Sequence, residues 1–84
     1  MMWIVTQDGR LMNSDYISSI YIMPYITDSF SKPTGYEGCM NAEVHHTAIT
    51  ILARNLKNPE ESLRKLTIAL KDGVNLYSLE GERE

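Results

Sequence analysis

His45 and His46 are the residues whose chemistry first calls for an account. An imidazole can ligate a metal or carry a proton near neutral pH. Paired histidine ligands stand two apart on a strand or four apart on a helix, so that both rings face the ion. Adjacent residues of a strand point to opposite faces, so these two form no pincer. Cys39 and Glu43 lie nearby in the chain, but at no recognised ligand spacing. No metal is assigned, and His45 and His46 are the residues that would be its candidates. Cys39 would need a stabilised thiolate and an oriented base to act as a nucleophile. Beside Met40 it reads instead as a small buried side chain. Asp8, Asp15, Asp28, Glu37 and Glu43 are scattered, and most stand in turn contexts, where carboxylates cap backbone N–H groups. No catalytic residue is assigned.

One segment concentrates residues suited to binding. Tyr25, Phe30, Lys32, Thr34 and Tyr36 all lie within twelve positions. Aromatic faces with a cation and hydroxyls can hold a base and its phosphate. The same residues suit a protein-binding loop, because tyrosine is enriched at interface hot spots. They can also fold back and cover a sheet. Gly35-Tyr36-Glu37-Gly38 is not a phosphate loop, since it lacks the Walker spacing and the Lys-Ser/Thr pair. Arg10 and Arg54 are the cations elsewhere that would join a ligand site. No cofactor motif is present.

The elements that position these residues follow from pattern. Trp3-Ile4-Val5-Thr6 is rich in β-formers, and Asp8-Gly9 then precedes Arg10-Leu11-Met12. Asp-Gly between apolar runs predicts a hairpin with a type I′ turn. Residues 17–23 alternate as a third strand, so that residues 1–23 read as a β-meander. Pro24 ends that strand, and residues 27–38 form the longest loop. Residues 44–54 are rich in β-branched side chains and read as a strand, with a bent pair or a helix as the alternatives. Asn58 is a good N-cap, Pro59 fits the first helical position and Gly73 fits the stop, which predicts a helix over residues 59–72. Glu60–Arg64 and Glu61–Lys65 are its expected ion pairs, and Leu63, Leu66 and Leu70 its apolar stripe. Ile68 falls off that stripe, either as a lone exposed residue or as an oligomer contact. Val74, Leu76 and Leu79 add a short last strand. The expected fold is α+β: an antiparallel sheet of about four strands packed by one C-terminal helix, with residues 1–79 as one domain and 80–84 as a frayed acidic tail.

Composition closes off several classes. The 84 residues allow one domain. Eight basic and eleven acidic side chains give a net charge of −3, without the basic surplus that nucleic acid requires. No run of about 18 apolar residues offers a membrane span. A single cysteine points to a reducing cytoplasm. A domain this small has little stability to spare, which favours a homo-oligomer.

Trp3-Ile4-Val5-Thr6-Gln7-Asp8-Gly9, then Leu11-Met12-Asn13 and Ile20-Tyr21-Ile22, resembles the opening of small uncharacterised proteins of Gram-positive bacteria and their phages. Those begin Trp-Ile-Val-Ser-Gln-Asp-Gly and finish with a strand and a Glu-Glu-Ala helix, to which Glu60-Glu61-Ser62 is similar. The likeness spares residues 25–43. It implies a β-rich domain with a C-terminal helix and a phage or mobile-element origin, but no activity and no site residue.

Three readings follow. The first is a non-enzymatic binding protein that interferes with a host (defence) factor. The second is an oligomeric binder that sequesters a nucleotide-like signal. The third is a metal-dependent enzyme using His45 or His46.

Overall fold

The hairpin at the start of the chain forms, but with a different turn. In the computed structural model, which describes residues 1–81, β1 (Trp3–Val5) pairs antiparallel with β2 (Leu11–Asn13). Gly9 alone in the turn has a positive φ, at 90°. Gly9 N donates to Thr6 O at 3.0 Å and Thr6 N to Arg10 O at 2.7 Å. That is a three-residue loop with glycine in the left-handed position, in place of the expected two-residue type I′ turn. Thr6 decides the difference. Its buried hydroxyl accepts from Arg10 N at 2.9 Å and donates to Asp8, which keeps Asp8 out of the left-handed region.

The expected meander breaks after β2. A single 3₁₀ turn, Ser14–Tyr16, redirects the chain, with Asn13 Oδ1 accepting from Asp15 N at 2.9 Å. β3 (Ile17–Ile22) then pairs with β4 (Met40–Val44), not with β2. β4 pairs antiparallel with β5 (Ala48–Ala53). Residues 44–54 are therefore the end of one strand, a turn and a second strand. His45 and His46 are the central residues of that turn, with φ of 53° and 60°. Thr47 N closes it on Val44 O at 3.1 Å. Positive φ at both central positions is normally the province of Asn-Gly, so the sequence carried no sign of this turn.

The helix forms as read. α1 (Pro59–Lys71) begins under the Asn58 cap, whose side chain accepts from Glu61 N at 3.3 Å. It ends with Val74 N donating to Ala69 O at 3.1 Å past Gly73, whose φ is 74°. That bond satisfies a last-turn carbonyl in the way a Schellman motif does. Glu61 pairs with Arg64 rather than with Lys65. The core side of α1 is centred on Leu66, flanked by Ser62 and Ala69, while Leu70 stands at its margin.

β6 (Leu76–Ser78) returns to pair in parallel with β1. Among the described residues the architecture is α+β, with two three-stranded sheets and one α-helix. The strand orders are β2-β1-β6, which is mixed, and β3-β4-β5, which is antiparallel. Ile4, Met40, Leu52, Leu66 and Leu79 are fully buried in one core shared by both sheets and the helix. The register shift between Met40 and Asn41 lets Leu52 and Ala53, neighbours in sequence, both enter that core. No helix among the described residues is long and apolar enough to cross a membrane. Glu80 and Gly81 continue as a turn, and the rest of the expected tail, residues 82–84, lies outside the described residues.

Candidate functional site

The loop between β3 and β4, residues 23–39, is held by its own side chains. Its base is closed by Gly38 N donating to Met23 O at 2.7 Å and Met23 N to Cys39 O at 3.3 Å. Asn41 sits fully buried in β4 beneath the loop. Its Nδ2 donates to Tyr36 O at 3.1 Å, while its Oδ1 is enclosed without a donor among the described residues. Glu37 then gathers a second turn. Its carboxylate accepts from Thr34 N at 2.8 Å, from Thr34 Oγ1 at 2.7 Å and from Gly35 N at 3.0 Å. These donors, the Thr34 backbone first, pull the Glu37 carboxyl down to a pKa of about 2. At the crest, Asp28 Oδ1 accepts from Phe30 N at 2.9 Å and Asp28 O from Ser31 N at 3.2 Å. That Asx turn presents Phe30, which is 94% exposed.

The loop therefore carries Tyr25, Phe30, Lys32, Thr34 and Tyr36 in three settings. Phe30 and Lys32 face solvent. Thr34 and Tyr36 serve the internal hydrogen bonds, with Tyr36 half-buried. Tyr25 is exposed on one side and lies against Gly38 on the other. Beside Tyr25 a cleft of 480 Å³ runs past Pro24 to Lys57 and Glu60 at the start of α1. Lys57 is a contributor that the sequence reading missed, since nothing local ties residue 57 to residue 25.

Arg10 and Arg54 are not brought to that cleft. They line a separate one of 80 Å³ with Gln7 and Asp8. The Arg10 guanidinium already meets both Asp8 oxygens at 3.1 Å, Thr50 Oγ1 at 3.1 Å and Ile51 O at 2.8 Å. The Thr6 hydroxyl first, and then Arg10, hold the Asp8 carboxyl below its usual range. Gln7 bonds both backbone groups of Arg54: its Oε1 accepts from Arg54 N at 2.9 Å and its Nε2 donates to Arg54 O at 2.7 Å. Gln7 and Arg10 thus join the first hairpin to β5 and to Arg54 after it, and Asp8 holds the Arg10 guanidinium in place.

The histidines lie at the far end of β4 from the loop. His45 rests its ring 5.3 Å from that of Tyr16, tilted by 51°. His46 Nδ1 stands 3.7 Å from Glu43 Oε1, and its N donates to Ser18 Oγ at 3.0 Å. Cys39 is buried at the other end of the strand, with Sγ donating to Glu37 O at 3.5 Å. A strand of that length separates thiol and imidazole by roughly 15–20 Å, too far for a nucleophile and its base. Among the described residues no three His, Cys, Asp or Glu side chains gather to hold a metal. Ile68 stands on α1 opposite Leu66, partly exposed between Arg64 and Asp72.

The fold and this loop define a small α+β domain that displays an ordered aromatic turn. No family model matches the chain, and neither a curated protein nor a solved structure is similar to it.

Proposed function

We propose that the chain is a non-enzymatic binding protein that docks on a macromolecular partner through residues 23–39, with Phe30 as the anchor. Phe30 carries the reading. Water pays no such ring an energetic welcome, and burying it in a partner is worth about 1.5–3 kcal/mol. The turn under it is already hydrogen-bonded, so little ordering cost falls on binding. The resemblance of residues 3–9 to phage and Gram-positive proteins supports a host factor as the partner. The single cysteine supports action in a reducing cytoplasm.

The test compares wild type with Phe30→Ala as bait in a Gram-positive lysate, with His45→Ala/His46→Ala as the control. A partner held by wild type and control but lost by Phe30→Ala supports the reading. Equal retention by Phe30→Ala defeats it.

A second reading, a nucleotide-like ligand, rests on the cleft beside Tyr25, which Tyr25 and Lys57 both line. Glu60 in the same wall opposes a phosphate there. A thermal shift with nucleoside phosphates, removed by Lys57→Ala, would favour this reading over the first.

A further inference from the structure

The two edges of the sheet β3-β4-β5 are treated differently. The β5 edge is taken by the first hairpin: Gln7 N donates to Leu52 O at 2.8 Å, and the Arg10 guanidinium to Ile51 O at 2.8 Å. β3 pairs with β4 alone, and among the described residues no backbone hydrogen bond joins it to a further strand. Met23, the residue after β3, turns both backbone groups to the β4 side: its N donates to Cys39 O and its O accepts from Gly38 N. Orientation alternates along an antiparallel strand, so the N–H and C=O of Ile20 and Ile22 point to the open edge. The bulge between Ile17 and Ser19 closes that open stretch at one end, and Pro24 closes it at the other. Beside it, between β3 and α1, lies a cleft of 370 Å³ whose apolar walls are Ile17, Ile20, Leu63, Leu66 and Leu70.

We propose that this edge takes up an extended peptide segment of a partner protein as an added strand, with alternate side chains seated in the cleft. Outward N–H and C=O groups in strand alternation are matched by the backbone of another strand. The cleft then selects the side chains. Three of its hydroxyls are already engaged: Ser14 Oγ accepts from Met2 N, Ser18 Oγ from His46 N, and Thr67 Oγ1 donates to Leu63 O. No charged side chain lines it. It therefore takes apolar side chains, two apart in the segment because a strand alternates. Lys71, one turn after Thr67 on α1, pairs with no carboxylate among the described residues. It complements an acidic residue at the Leu70 end of the segment. A second copy of β3 is a poor occupant. Its side chains on that face, Ile20 and Ile22, are packed against its own core, so it brings nothing to the cleft.

The probe is a displayed library of random heptapeptides selected on the full chain, and the enriched peptide is then synthesised and titrated by NMR. The expected peptide alternates apolar and polar residues and carries an acid at one end. On binding, hydrogen exchange at the Ile20 and Ile22 amides should slow at least about tenfold. Methylating alternate backbone nitrogens of the peptide should abolish binding in one register and spare it in the other, as an added strand requires. Leu70→Lys, at a partly exposed position of the cleft wall, should weaken binding at least about tenfold. Phe30→Ala should leave binding unchanged, which separates this edge from the loop of residues 23–39. A library without an alternating consensus, a bound peptide that leaves exchange at Ile20 and Ile22 unaltered, or loss of binding with Phe30→Ala overturns the proposal. The exchange measurement on the wild type decides the question even if Leu70→Lys fails to fold.

Discussion

The ring of Tyr25 lies across the α-carbon of Gly38, in the space that a β-carbon would occupy. Gly38 also has a φ of 70°, which side-chain-bearing residues rarely adopt. Two separate constraints therefore fall on one residue at the base of the binding loop. Gly38→Ala should cost about 1–3 kcal/mol in urea denaturation. Tyr25→Ala in the same chain should recover the contact part of that loss and leave the backbone part. Full recovery would show that the backbone conformation carries no penalty there.

Glu37 makes the 34–37 turn dependent on pH. Its carboxyl titrates at about 2 when folded, against an ordinary value of 4.5. A depressed folded value means that the turn's stabilisation is complete above pH 4.5 and is lost as pH falls through 2. Carboxyl NMR should give that low midpoint, and the Thr34 and Gly35 amides should lose protection with it. Glu37→Gln should lower their protection at pH 7 and remove its pH dependence. A Glu37 midpoint near 4.5 would mean that the three donors do not hold the carboxylate in solution.

The histidine turn can be relieved. Two side-chain-bearing residues in the left-handed region cost about 1–2 kcal/mol each. His45→Asn/His46→Gly supplies the residues such a turn prefers, and thermal melting should show a gain of about 1 kcal/mol. A loss would mean that the Tyr16 ring contact and the Glu43 pairing outweigh the backbone cost.

Gln7 should prove more important to stability than a half-exposed amide usually is. It completes two hydrogen bonds to Arg54 across 47 residues of chain. Gln7→Ala should cost about 1–3 kcal/mol, since each bond contributes about 0.5–1.5 kcal/mol. Gln7→Glu keeps the acceptor and loses the donor, and should fall between alanine and wild type. An effect below about 0.5 kcal/mol for alanine would show that water replaces both bonds.

What the sequence determined by itself is what neighbours in the chain decide. Asn58, Pro59 and Gly73 delimit α1 to within a residue, because a cap acts over one turn of backbone. The apolar runs of β1 and β3 and the irregular segment from Pro24 onward were legible for the same reason. Of the loop's binding residues, the types were legible but not their exposure. Phe30 and Tyr36 are both aromatic, and only the Asp28 turn and the Asn41 amide separate the displayed ring from the half-buried one.

The tertiary structure alone decided how the strands divide. β1 pairs with β6 more than seventy residues away, and β3 leaves β2 for β4, so one expected sheet became two. No local propensity encodes such choices, because they depend on which apolar faces can share a core. His45 and His46 were forced into a turn that their own preferences oppose, since the β4–β5 pairing leaves the chain nowhere else to reverse. The cleft between β3 and α1 emerged by the same route. Ile20 and Leu70 are ordinary apolar residues in sequence, and only the packing of helix against strand brings them to one cleft.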